Sequence, residues 1–312
     1  MENTVNNKLI NKKKKFKWAD LVFYCCLLLI PVLHSIVFYF IVNFNSIRMA
    51  FQSYNPETLV FKWNNFENFG RVFRELGSSG NWGIAFKNCY LLWAMGLVTS
   101  TPLTQFISYY VYKNEAVGDW FKVALFAPTI VSHMVTLIMF KYFANDAIPA
   151  AIDALNGDKP LPMGLLVNKD TRFWTIWGHG FFTGFGAGMM LYVNAMKSIS
   201  VSIVEAAKLD GIGYFTEYIR ITFPMIFPTF KVFFVLGISG ILGNQFGGFE
   251  LYGESAPPDI QTVGYNLFVQ SSTAGVKEYP FLSAFGLFIT ILSLVPTLTV
   301  RWLMNKIDPM EN

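Results

Sequence analysis

The sequence predicts an all-α integral membrane protein of six transmembrane helices, and three observations carry that expectation. Of 312 residues, 53% are hydrophobic and only 14% are charged, against about 25% charged in ordinary soluble domains. Six apolar runs reach the roughly 20 residues that a helix needs to cross a bilayer. The basic stretch KLINKKKKFKW stands just ahead of the first run, as a cytoplasmic flank does.

The runs extend from Ala19 to Val42, Ile84 to Val111, Phe121 to Phe143, Phe173 to Met196, Met225 to Gly243 and Phe281 to Leu303. Asn88, Thr101, Thr104 and Gln105 interrupt the second, but its length and flanking loops favour a span. Lys8, Lys12, Lys13, Lys14, Lys15 and Lys17 hold the amino end in the cytoplasm, and an even number of spans returns Arg301 and Lys306 to the same side. The first run is longer than the core of a signal peptide and no small-x-small cleavage pattern follows it, so it is read as a span. The chain thus divides into a basic tail (1–18), a first helix with its outer loop (19–83), a membrane domain (84–303) and a short cytoplasmic tail (304–312). The first outer loop mixes aromatic with charged residues and is expected along the membrane interface.

Several chemistries are not expected. Cys25, Cys26 and Cys89 form no disulfide framework, and His34, His133 and His179 are scattered without metal-ligand spacing. Neither a phosphate loop of the form G-x-x-x-x-G-K-[ST] nor a protease signature occurs, so the chain is read as neither an enzyme nor an ATP binder. Energy must then come from a partner or a gradient.

The segment SIVEAAKLDGIGYFTEYIRITFP, from Ser202 to Pro224, is the most polar stretch between two apolar runs. Ser202 followed three residues later by Glu205 predicts a capping box and a helix start. Ala206 and Ala207 extend the helix, and Gly211 ends it. A second short helix, roughly Tyr214 to Thr222, is expected to stop before Pro224. Glu205, Asp210 and Glu217 offset Lys197, Lys208 and Arg220, so no basic face draws this segment to anionic lipid. It suits a protein groove better.

The spacing of Glu205, Ala206, Ala207, Gly211, Ile221 and Pro224 resembles the EAA loop of bacterial ABC importer permeases, with Phe223 where that family usually has Leu. The lead-in AMKSISVSIVEAA is similar to that of the maltose and multiple-sugar type of carbohydrate permease. Asn194, Met196 and Ser200 depart from it. Downstream, TVGYNLFVQSS resembles the segment that follows the family's Gly-Gly-Pro, where this chain carries GESAPPD. The resemblance spans roughly residues 84–303 and implies a type I ABC importer permease fold in a bacterial cell membrane. It further implies a second permease subunit, two ABC ATPase subunits holding ATP and Mg2+, and an extracytoplasmic binding protein or lipoprotein. The loop 200–224, with Ser202, Glu205, Ala206, Ala207, Asp210, Gly211, Ile221 and Pro224, would dock on an ATPase. This chain itself would bind no cofactor, and nothing points to nucleic acid.

For the solute path, polar residues at membrane depth are the candidates: Asn88, Gln105, Tyr192, Asn194, Asn244 and Gln245, with Phe246 beside the last pair. An amide next to aromatic rings suits a sugar, whose hydroxyls need partners while its C–H faces stack. Interhelical hydrogen bonding is the equal alternative for each residue alone. The repeats Gly180, Gly184, Gly188 and Gly237, Gly240, Gly243 are read as close helix packing rather than pore lining. Lys87 and Lys231 are expected to snorkel from span ends. A permease for a non-sugar solute, or an ion-coupled secondary transporter, remains the alternative.

Overall fold

A computed structural model describes residues 18–77, 82–114, 130–156 and 163–309, with isolated positions between 120 and 127. The basic tail lies outside the described residues. Numbering only the described helices, α1 covers residues 18–50 and leads into an antiparallel hairpin of β1 (Gln52–Asn55) and β2 (Val60–Trp63). Helix α2 (Glu67–Gly77) follows, then α3 (82–113), α4 (133–156), α5 (Arg172–Lys197), α6 (Val201–Leu209), α7 (214–240), α8 (Gly248–Tyr252), α9 (Val263–Thr273) and α10 (Tyr279–Ile307).

Among the described residues four helical stretches are long and apolar enough to cross a membrane: Val22–Ala50, Met134–Leu155, Tyr214–Gly240 and Val276–Ile307. Counting α5 with α6, which bends away from it by 80°, makes five. The expected second span is one continuous helix, α3, but its polar residues keep it out of this group. The expected third span, Phe121–Phe143, is displaced. Its first half lies largely outside the described residues, the chain turns at Ser132 (ψ 130°), and the helix then runs on to Asn156. Asn145 looks like a loop residue in the sequence. Its side-chain oxygen instead accepts a hydrogen bond from the Leu166 N–H at 3.1 Å, so a tertiary contact satisfies it within the helix.

Prolines explain another departure. The segment from Tyr214 does not stop before Pro224 but passes through it into the fifth span, by way of a π turn at Tyr218–Thr222. The same arrangement recurs at Gly96–Ser100 before Pro102 and at Phe143–Ala147 before Pro149, each π turn ending two residues ahead of its proline. Proline lacks an N–H and crowds the carbonyl four residues back, and a widened turn relieves both defects. Pro228 and Pro296 sit inside regular α-helix.

The main core joins Ala50, Val72, Trp82, Ala85, Cys89, Ile238, Leu242, Val263, Phe281 and Phe285, binding the end of α1, α2, α3, α7, α9 and α10 together. A second cluster holds Tyr109, Tyr192, Met196, Ile199, Tyr218 and Ile226 at the end that carries α6. Lys231 does not snorkel: its Nζ lies 2.6 Å from a carboxylate oxygen of the buried Asp308. Ser108 Oγ donates to the Met189 carbonyl at 3.2 Å, fixing α3 against α5.

Candidate functional site

Two cavities, of about 340 and 460 Å³, share Leu92, Gly96, Ser100, Asn244 and Phe246 as walls. Their lining on α5 runs from Ile176 to Tyr192, about 24 Å at 1.5 Å per residue, most of the roughly 30 Å of a bilayer's hydrocarbon core. Rings of Trp177, Phe181, Phe230, Phe233, Phe234 and Phe246 alternate with polar Ser100, Thr183, Asn244 and Glu250. Trp177 Nε1 and Glu250 Oε2 are buried without a hydrogen-bond partner among the described residues. Buried donors and acceptors are ordinarily paired, so these two are available to a solute or to water.

The glycine repeats resolve against the packing expectation at Gly180 and Gly184. Both line the cavities, and a Cβ at either would meet no atom of the described residues within 4 Å. Gly188 does pack, with Thr104 Cγ2 at 3.4 Å from such a Cβ, and Gly237 lies against Trp93. A leucine at position 184 is therefore expected to fold and assemble normally, since it gains helix propensity of about 1 kcal/mol, while cutting solute flux at least tenfold. Thermal unfolding and uptake measured on the same preparation check this; a destabilised protein would restore the packing reading.

The polar candidates separate by geometry. Asn244 Oδ1 accepts from the Phe246 N–H at 2.8 Å, closing an Asx turn. Phe246 has φ +51° and Gly247 φ +76°, a sparsely populated backbone for a bulky residue that presents its ring to the cavity. Tyr192 lines the larger cavity. Asn88 is structural instead: its amide donates to the carbonyls of Asp259 and Gln261 at 2.8 and 2.9 Å, and it lines neither cavity. Gln105 is buried and accepts from Tyr218 Oη at 2.6 Å. Asn194 is exposed and Gln245 half-buried, and neither is among the lining residues. The sequence reading missed Trp177, Thr183, Ser100 and Glu250. Glu250 carried a signal, as the only charge within NQFGGFELYG.

Thr262 caps α9 by accepting from the Tyr265 N–H at 3.3 Å, and its hydroxyl donates to the Asn244 carbonyl at 3.2 Å, which ties the lining turn to the core. A Cβ at Gly264 would sit 2.4 Å from the Gly243 carbonyl oxygen, so only glycine permits this approach. Outside the spans, Tyr252 donates to the Leu166 carbonyl at 2.7 Å. Burial pushes its hydroxyl up to about 12, with Arg172 lowering and Asp259 raising it.

At the other end, α6 begins at Val201 with Ser200 as its cap residue, so the expected Ser202–Glu205 capping box does not form. Ser200 and Ser202 hydroxyls bond each other at 2.8 Å instead, which diverts Ser202 from the backbone. The helix closes as a Schellman turn, with Ile212 N–H donating to Ala207 O at 3.2 Å, Gly211 N–H to Lys208 O at 3.1 Å, and Gly211 at φ +66°. Ala207 is buried, whereas Glu205, Ala206, Asp210 and Leu209 are exposed, and Glu205 has no ion pair or hydrogen bond among the described residues. Leu209, Tyr214 and Phe215, at 89, 68 and 65% exposure, form an apolar surface beside it. Behind this surface Ile221 and Pro224 are half-buried, and Glu217 is buried in an ion pair with Lys113.

A family model described as "binding-protein-dependent transport system inner membrane component" matches residues 100–310. The multiple sugar-binding transport system permease protein MsmF of Streptococcus mutans is 22% identical over 280 residues, 88% of this chain and 92% of that protein. Protein LplB of Bacillus subtilis is 23% identical over 305 residues, covering 95 and 91%. The polygalacturonan/rhamnogalacturonan transport system permease protein YteP of B. subtilis is 24% identical over 279 residues, covering 83 and 81%. Among solved structures, a bacterial ABC transporter involved in import of the acidic polysaccharide alginate superposes with a TM-score of 0.76 at 19% identity, covering 93% of this chain and 96% of that one.

Proposed function

From the premise that this chain belongs to the binding-protein-dependent transport system inner membrane component family, we propose that it is a permease subunit of an ATP-driven sugar importer. The observation that carries the proposal is the pairing of an aromatic and hydroxyl-lined cavity with an exposed helix closed by Gly211 at the opposite end of α5 and α7. Rings suit the C–H faces of a saccharide, and Ser100, Thr183, Asn244 and Glu250 suit its hydroxyls. The relatives named above for sugars and pectic glycans support that substrate class, and the alginate transporter is also known with a saccharide-bound periplasmic protein. In this reading a sister permease completes the path, two ATPase subunits grip α6 with Glu205, Ala206, Asp210 and Gly211, and a binding protein delivers the solute. ATP binding favours one rigid-body arrangement over the other because the docked ATPase contacts differ between them.

Six spans follow when α3 and α5 are counted with the four most apolar helices, and both termini then lie in the cytoplasm. Cysteines at Asn65 and Ser255 are expected to label from outside intact cells, and one at Lys208 only after the membrane is opened. Labelling of position 208 by an impermeant reagent in intact cells would sink the topology. The transport reading itself is tested by reconstituting the permease with its sister, ATPase and binding protein and measuring uptake of radiolabelled oligosaccharides. No ATP-dependent uptake of any glycan that the binding protein retains would refute it.

A further inference from the structure

We propose that Gln105 is a positioning residue that ties the ATPase-facing loop to the solute cavity, by fixing Tyr218 within the buried cluster that also holds Tyr192; this rests on the importer reading above. Tyr218 opens the π turn of α7 near the end of the loop 200–224, and its hydroxyl donates to Gln105 Oε1 at 2.6 Å. Tyr192, whose ring lines the 460 Å³ cavity, packs in the same buried cluster as Tyr218 and Tyr109. The chain of contacts thus crosses from α7 through α3 to α5.

Chemistry selects an amide for the middle position. Its oxygen accepts from the Tyr218 hydroxyl without bringing a charge into a buried site, a combination that neither a carboxylate nor an aliphatic side chain offers. All three residues are buried, at 5, 4 and 6% exposure for Gln105, Tyr192 and Tyr218. In such surroundings an abandoned partner has no water to turn to, so displacing Tyr218 pulls on Gln105. The loop's own attachment is stiff. Glu217, next to Tyr218, pairs with Lys113 on α3, and Phe106 packs between Tyr218 and the exposed Phe215 with ring centroids at 5.1 and 6.3 Å. A load applied at Phe215 therefore reaches the residue that bonds Gln105. Two discrete arrangements of α7 against α3 would be read at the cavity wall as two positions of Tyr192.

The test uses the complete complex in nanodiscs, with a cysteine replacing Ser100 on the cavity wall and a maleimide as probe. Its labelling rate is measured without nucleotide and with ATP plus orthovanadate. With the relay intact, nucleotide changes the rate; Gln105→Leu and Tyr218→Phe are expected to leave the nucleotide-free rate alone and shrink the change about fivefold. Tyr218→Phe removes one oxygen and keeps the ring, so it guards against a folding defect in Gln105→Leu. The double variant should be no worse than Gln105→Leu, since both substitutions break one chain. An unaltered nucleotide response in both single variants, or equal shifts of both rates, would overturn the relay. If nucleotide has no effect even with Gln105 and Tyr218 in place, the importer reading fails first, and the two failures are thereby told apart.

Discussion

Replacing Gly211 with valine is expected to release the ATPase from the complex while leaving the permease inserted and paired with its sister. The cause is local. At φ +66° a β-carbon collides with the backbone, which costs about 1–2 kcal/mol before branching is counted. An added Cβ would meet no atom of the described residues beyond its chain neighbours within 4 Å, so the loss is conformational rather than one of crowding. Relieving the strain breaks the bonds from Ile212 and Gly211 to Ala207 and Lys208 and tilts α6 away from its docked orientation. A weakening of about tenfold or more follows from 1.4 kcal/mol. Glu205→Lys is expected to act alike by another route, because it reverses an exposed charge that has no internal partner among the described residues. Co-purification of the ATPase and solute uptake, measured side by side, decide the matter. Normal values for both variants would show that α6 does not couple.

The second large effect is expected from Glu217→Ala. Lys113 and Glu217 expose only 8 and 6% of their side chains, and among the described residues Lys113 Nζ has no hydrogen bond beyond the ion pair. Rings of Tyr109 and Tyr112 stand 5.7 Å from that ammonium and exclude water from it. Removing the carboxylate strands a buried cation, at about 3–5 kcal/mol. For a protein of this size the melting temperature in detergent should fall by on the order of 10 °C. Lys113→Met combined with Glu217→Met should recover most of it, since a buried pair replaced by apolar volume is often neutral. Equal melting of Glu217→Ala and the unaltered protein would mean that the pair is solvated.

What could be read from sequence followed physical scale. Lipid exposure is averaged over some twenty residues, so the apolar run Phe173–Met196 coincides closely with a helix, Arg172–Lys197. Gly211 announced its left-handed turn because few residues other than glycine tolerate one. Contacts between distant segments were not legible. Asn88 and Gln105 look like pore residues until their partners, 171 and 113 positions away, are seen. Gly180 and Gly184 differ from Gly188 only in what stands opposite them, which a one-dimensional pattern does not contain. The helix break at Ser132 and the passage through Pro224 were missed for a related reason: apolar content scores a residue's company, not its backbone geometry.

The π turns ahead of Pro102, Pro149 and Pro224 bear on how this family tolerates insertions and deletions. In a regular α-helix one residue occupies 100° of azimuth, so losing a residue between Phe223 and Phe230 would swing Phe230, Phe233 and Phe234 off the cavity by more than a quarter turn. Within Tyr218–Thr222 the turn already carries a surplus residue. Deleting one there, with the proline that requires it replaced by another residue, converts the π turn to α and preserves the angular phase of everything beyond. Single-residue gaps among relatives should accordingly gather at these three points and be compensated by loss of the proline two places downstream, while the rest of each span keeps its length.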